Sequence, residues 1–156
     1  MRPVCSTLCY VQRGGETLML HRNKNVGKIH DDKWNGLGGK MERGETPEDC
    51  VVREVREESG LQIRDPRLKG ILTFPDFDGV DDWLVFVYVA KEFSGRLKLK
   101  GPEGRLAWVP NSRITKLNLW EGDRFFLPHL AGRKFFTGKF IYRNVKYVSH
   151  EIAFNC

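Results

Sequence analysis

Glu54, Glu57 and Glu58 are spaced i, i+3 and i+4. On a helix turning about 100° per residue, they fall within a third of its circumference. Like charges at those spacings repel by about 0.2–0.5 kcal/mol per pair, and no lysine lies among them to relieve it. A helix that gathers three carboxylates in this way aims them at one point, where a cation can hold them together. Hard carboxylate oxygens suit Mg²⁺, with Mn²⁺ as a possible substitute, and Mg²⁺ ordinarily shares its sites with phosphate groups. A solvated acidic face is the commoner meaning of clustered glutamates, but two features argue against it here. The glycine-rich run Gly36-Leu37-Gly38-Gly39-Lys40 leads toward the helix, and glycines let a backbone approach a ligand closely. Glu45 and Arg53 bracket the cluster with charges that can orient it.

The elements that position these residues are legible in outline. Thr46-Pro47-Glu48-Asp49 is a helix start, with a capping threonine, proline in the first turn and acids that suit the dipole. Val51, Val52 and Val55 form the apolar stripe beside the glutamates, and Gly60 supplies the left-handed stop. Residues 3–12 and 17–22 read as a hairpin about Gly14-Gly15. Residues 23–38 read as loop. Strands are expected at 62–77, at 82–92 and near 105–109, a helix near 121–131, and a final hairpin of 135–143 and 145–153 about Asn144. Neither repeats nor low-complexity linkers interrupt the pattern. The whole is an α/β chain with a mixed sheet between helices.

A length of 156 residues, 40% hydrophobic and 29% charged, fits one ordinary globular domain spanning 1–156. No apolar run approaches the roughly 20 residues that cross a bilayer, and the first residues lack a signal peptide's apolar core. A cytoplasmic location, away from membranes, is the expectation. Cys5, Cys9, Cys50 and Cys156 have neither a disulfide framework's density nor zinc-ligand spacing. Cys5 and Cys9 would share one face of the first strand as small buried thiols. The net charge of +6 and pI near 9.3 favour anionic partners, nucleotide polyphosphates or nucleic acid, although the basic residues are spread along the chain.

Gly39, five residues, Glu45, seven residues, then Arg53-Glu54-Val55-Arg56-Glu57-Glu58-Ser59-Gly60-Leu61 resembles a Nudix box with every defined position filled. The resemblance extends outward. Trp34-Asn35-Gly36, Leu119-Trp120-Glu121-Gly122-Asp123 and the Phe/Lys-rich stretch 134–140 are similar to MutT-like oxidised-purine nucleoside triphosphatases, in particular a bacterial branch carrying Trp-Glu-Gly-Asp. It implies a Nudix α/β/α sandwich and an enzyme that cleaves a pyrophosphate bond with Mg²⁺, the substrate being 8-oxo-dGTP or a similar oxidised purine nucleoside triphosphate.

The same resemblance assigns roles. Glu57 and Glu58 would be the main metal ligands, Glu54 a ligand or the base for water, and the Gly39 carbonyl would complete the coordination. Glu103 matches an acidic position that supplies a further ligand or base, and which glutamate acts as base stays open. Arg53 would pair with Glu45 and orient the helix. Lys40 is a candidate phosphate contact, as is Arg22 at the close of the second strand. Asn35 and Trp120 match positions that contact the purine, although without the family Trp120 reads as core. Asp123 matches one of a pair of acids reading the base edge, and here the chain departs, with Gly122 in place of the other acid.

Rival readings are removal of pyrophosphate from an RNA 5′ end, and cleavage of ADP-ribose or a nucleotide sugar. A non-catalytic ligand-binding regulator is the third; such modules usually have lost box glutamates and carry a second domain, for which this length leaves no room. Either a monomer or a homodimer fits the sequence.

Overall fold

The computed structural model describes residues 3–23 and 31–155. The first hairpin forms as its alternation predicts: β1 (Pro3–Arg13) turns at Gly14 and Gly15, both at positive φ, into β2 (Glu16–Arg22). Within the stretch expected to be loop, Trp34–Asn35 makes a short rung, β3, antiparallel to β2; positions 24–30 lie outside the described residues.

The glutamate helix α1 (Pro47–Ser59) is fixed at both ends by its own sequence. The Thr46 hydroxyl accepts the Asp49 N–H at 3.0 Å while Asp49 accepts the Thr46 N–H at 3.0 Å, a reciprocal capping box. Gly60, at φ 82°, ends it and donates to the Arg56 carbonyl at 2.8 Å. The Val51 and Val55 side chains are fully buried against Cys9, Leu18, Leu20 and Leu37, a burial that contributes about 1.5–3 kcal/mol per side chain.

The single strand expected over 62–77 is two, β4 (Leu61–Arg64) and β5 (Arg67–Phe74). Asp65 at φ 52° and Pro66 break it, because proline has no N–H to continue a ladder. Likewise β6 (Asp82–Ala90) stops before β7 (Glu92–Gly95), and β4 and β7 pair as a separate two-stranded sheet. Next come β8 (Lys100–Gly101), β9 (Gly104–Pro110) and a 3₁₀ turn, Asn111–Lys116. The helix expected over 121–131 is a single α turn, α2 (Asp123–Phe126), running into a 3₁₀ segment, Leu127–Ala131; Pro128 offers no N–H to an α ladder. The last hairpin, β10 (Phe135–Arg143) and β11 (Lys146–Asn155), turns through Asn144 and Val145, both at positive φ.

The main sheet runs β11-β10-β5-β6-β1-β2-β9-β8, with β3 attached to β2. It is mixed: β1 lies parallel to β6, and β10 parallel to β5. Two cores flank it. One packs under α1, and the other lies on the face of α2 and holds Tyr10, Trp120, Phe126, Phe136, Phe140 and Tyr142. A mixed sheet between helical layers therefore stands as expected. Among the described residues no helix is long and apolar enough to cross a membrane, and Cys5, Cys9 and Cys50 are free thiols.

Candidate active site

The glycine loop 36–40 is laid along β1 as an extra antiparallel rung. The Leu37 N–H donates to the Cys9 carbonyl at 2.9 Å, the Thr7 N–H to the Gly39 carbonyl at 2.9 Å, and the Met41 N–H to the Cys5 carbonyl at 3.0 Å. A Cβ on Gly38 would drive into the Thr7 backbone, and one on Gly39 would sit 2.7–2.8 Å from the Glu54 carboxylate. Glycine is thus required for close approach to both the strand and the helix. The Gly39 carbonyl accepts the Thr7 N–H and lies 3.5 Å from both Thr7 Oγ1 and Cys50 Sγ, and the Cα of Gly39 faces Glu54.

Arg53 is a cation that Glu45 and two of the three helix glutamates share. Its Nε donates to Glu45 Oε2 at 2.6 Å and its Nη2 to Glu45 Oε1 at 3.0 Å. Nη1 reaches Glu54 at 2.8 Å and Glu57 at 3.2 Å, and Nη2 also donates to the Lys40 carbonyl at 3.1 Å. The Arg53 hydrogen bonds hold the Glu45 carboxyl down at about 2. Glu54 goes the other way: burial raises it above the usual carboxylate range despite Arg53.

The helix does not send all three carboxylates to one point. Glu58 turns away from Arg53 toward the loop, where its Oε1 accepts the Gly38 N–H at 2.7 Å. Its Oε2 is buried with no hydrogen-bond partner. Burial, and next the facing Glu103, push its pKa well above the normal range. Glu103 arrives from the β8–β9 turn and is tied by Arg22 Nη1 at 2.8 Å. The structure therefore brings Glu54, Glu57, Glu58, Glu103, Arg53 and Arg22 to one end of the loop. Among the described residues, no three carboxylate, imidazole or thiol side chains already stand gathered as a metal cage. The donors nevertheless fit a divalent cation. All are hard oxygens, one buried oxygen has no partner, and burial raises the pKa of two of the carboxyls, Glu54 and Glu58.

Beside these carboxylates opens a cavity of about 260 Å³, with Arg22, Gly38, Gly39 and Lys40 in its wall and Asn35, Trp120 and Asp123 also lining it. Lys40 is exposed and its Nζ lies 5.3 Å from the Trp83 ring. Trp120 belongs to the core and also lines the cavity. Phe77 packs edge-on at 5.0 Å and Tyr142 at 5.5 Å against its ring. Asn118 anchors both walls: its carbonyl accepts the Trp34 N–H at 3.0 Å and its Nδ2 donates to the Asp32 carbonyl at 2.9 Å. Asn35 follows Trp34 directly and Trp120 lies two residues beyond Asn118, and both line the cavity. Burial of Asp123 raises its carboxyl from 3.8 to about 7, with Arg124 and Lys33 opposing the rise.

Sequence reasoning missed Phe74, Phe77, Trp83 and Tyr142, which complete the aromatic lining. Alternation along β10 and the aromatic pair at the end of β5 were the available signals. Gly122 is explained by the same wall, because a Cβ there would meet Phe140 at 2.7 Å and the Tyr142 hydroxyl at 2.8 Å.

Carboxylates on a capped helix, a glycine loop and basic side chains beside an aromatic slot define a hydrolase acting on acid anhydrides. Residues 2–130 match the model of the NUDIX domain, and the chain belongs to the Nudix hydrolase family. It is 35% identical over 140 residues to the uncharacterised Nudix hydrolase YvcI of Bacillus subtilis, covering 87% of this chain and 85% of that protein. Against the oxidized purine nucleoside triphosphate hydrolase of Mus musculus it is 34% identical, covering 72% and 71%. The crystal structure of a MutT protein from Bacillus halodurans superposes with a TM-score of 0.86 at 30% identity, over 96% of this chain and 97% of that one.

Proposed function

We propose that this Nudix pyrophosphohydrolase hydrolyses oxidised purine nucleoside triphosphates, 8-oxo-dGTP among them, to the monophosphate and pyrophosphate. The observation that carries the reading is one continuous site. An aromatic slot holding Asn35, Trp120 and Asp123 opens onto Gly38, Gly39 and the glutamate helix. A flat apolar slot with a few convergent polar groups suits a purine, and the carboxylates beside it suit a triphosphate chelated to a divalent ion. The mouse relative's description as an oxidized purine nucleoside triphosphate hydrolase supports the same substrate class.

Glu54, Glu57, Glu58 and Glu103 would hold Mg²⁺, or Mn²⁺ in its place. Such an ion, when bound, neutralises phosphate oxygens and lowers the pKa of water. The chain's own groups do the rest. Arg53 fixes the glutamate rotamers through Glu45, and Arg22 and Lys40 face the polyphosphate. Glu54, where it is not a ligand, or else Glu57 or Glu103, would take the proton of the attacking water. Trp120 stacks on the base, and Asn35 and Asp123 read its edge. Turnover of 8-oxo-dGTP and dGTP by the pure enzyme in Mg²⁺ tests the reading. A clear preference for 8-oxo-dGTP with pyrophosphate as product is expected; equal or absent turnover of the two overturns the substrate assignment.

A further inference from the structure

Tyr142 stands where the aromatic slot turns polar. Its side chain is buried, 4% exposed, and its hydroxyl oxygen accepts the Gly122 N–H at 2.7 Å. A phenol hydroxyl has one proton to donate and can accept as well. One acceptor direction is used by Gly122. Among the described residues, no acceptor for the proton itself lies within hydrogen-bonding distance. Buried hydroxyls are seldom left in that condition, and this one lines the cavity. Its proton therefore has an acceptor to find in whatever fills the slot.

The next polar group along that wall is Asp123, one residue beyond the Gly122 that Tyr142 binds. An ionised carboxylate only accepts. A donor beside an acceptor is the complement of a carbonyl beside an N–H, and a 6-oxopurine presents that pair as O6 and N1–H. Building on the reading of the slot as a base pocket, we propose that Tyr142 is a specificity-determining residue. It donates its hydroxyl proton to the O6 carbonyl of a guanine-type base, while Asp123 accepts from N1–H and the neighbouring amino group. A base without O6 leaves the Tyr142 proton unpaired in a buried site, and sites built to hydrogen-bond a substrate group reject analogues that lack it. The space that a second carboxylate would need at 122 is filled by the Tyr142 hydroxyl and the Phe140 ring, so the phenol does the reading from β10.

The experiment compares kcat/KM of the wild type and Tyr142→Phe on the deoxynucleoside triphosphates of guanine, hypoxanthine and 2-aminopurine. The first two carry O6 and the third does not. Loss of roughly tenfold or more on guanine and hypoxanthine, with 2-aminopurine held within about twofold, is expected. An equal loss on all three would assign Tyr142 to scaffolding alone and overturn the proposal, as would no loss on any. Should the variant melt below assay temperature, the wild type is titrated with deoxyinosine monophosphate and its 6-thio analogue, which keeps N1–H but carries a weakly accepting sulfur in place of O6. Affinity for the former should be at least about tenfold higher, and equal affinity overturns the assignment. If the wild type neither turns over nor binds any of these nucleotides, the base-pocket reading falls and takes this one with it. Binding with an unmoved ratio sinks the role of Tyr142 alone.

Discussion

Arg53 grips Glu45 with two parallel N–H···O bonds, Nε to Oε2 at 2.6 Å and Nη2 to Oε1 at 3.0 Å. Only 16% of the arginine side chain and 15% of the glutamate side chain is exposed. This fork turns the guanidinium so that Nη1 is left for Glu54 and Glu57. The repulsion along α1 is thus relieved from within the helix, and the loop residue Glu45 decides where the relieving charge points.

Arg53→Lys should keep a positive charge and lose the fork, because an ammonium cannot bind a carboxylate through two fixed bonds. We expect kcat/KM to fall at least about tenfold from misplaced glutamates, with a lower melting temperature. The acid limb of stability should move too. Glu45 titrates at about 2 rather than 4.5 in the folded protein. Its contribution is therefore complete above about pH 4.5 and is lost as pH falls toward 2. In R53K the folded pKa of Glu45 should rise, so that this contribution is smaller and its loss is complete at a higher pH. Denaturant melts from pH 2 to 6 check this, and coincident curves for the two proteins would refute it.

Glu57→Gln and Glu58→Gln should separate function from stability. Each is expected to cut Mg²⁺-dependent turnover at least about a hundredfold. Glu57 is exposed, so its variant should melt like the wild type. For Glu58 the folded pKa is raised, so the folded state holds its proton longer than the unfolded one. Its burden on stability is absent below about pH 4.5 and grows as pH rises toward the folded value. A glutamine still accepts the Gly38 N–H and carries no charge. E58Q should therefore melt higher than the wild type at pH 7 in chelator, while being inactive in Mg²⁺. A lower melting temperature would count against a raised pKa for this carboxyl.

Much of this was legible because local rules and global fold agree along 46–60: cap, apolar stripe and left-handed stop each name the same helix. The family resemblance carried by that stretch likewise pointed to the mixed sheet. Directions of side chains were not legible. Spacing puts Glu54, Glu57 and Glu58 on one face, yet Arg53 draws two of them one way and the Gly38 N–H draws Glu58 another. Tyr142 was hidden for a related reason. Nothing in the alternation of β10 tells that its hydroxyl reaches Gly122, twenty residues earlier. The α2 region failed through its short range, since one α turn followed by a 3₁₀ segment has no sustained period to detect.

Two adjacent glycines should respond differently to alanine. At Gly38 the added Cβ meets the Thr7 carbonyl and Leu8 backbone, which belong to the central strand and cannot yield. Gly38→Ala should therefore lower expression and stability. At Gly39 the Cβ meets only the carboxylate end of Glu54 among the nearest atoms, at 2.7–2.8 Å, and a side-chain end can swing aside. Gly39→Ala should fold with a near-native melting temperature and lose activity by about tenfold or more, as Glu54 is displaced. Circular dichroism melts beside initial rates distinguish the two, and a fully active G39A would detach Glu54 from catalysis.

Asp123 provides the pH signature of base recognition. Burial lifts its carboxyl from 3.8 to about 7, so the folded protein retains a proton that the unfolded chain has released. The sign is opposite to that of Glu45: the charge costs nothing below about pH 4, and its cost grows up to about pH 7. At full ionisation that difference is roughly 4 kcal/mol. Asp123→Asn should remove it, so that the variant gains stability over the wild type as pH rises from 4 to 7 and keeps a constant advantage above. Recognition should run the other way, since an ionised Asp123 is the better acceptor for purine N–H groups. In the wild type, KM for a guanine-type triphosphate should fall as pH is raised from about 6 to 8, and in D123N it should be high and flat. Calorimetric melts and KM measured across that range test both limbs. A pH-independent KM in the wild type would remove Asp123 from base reading even if its effect on stability held.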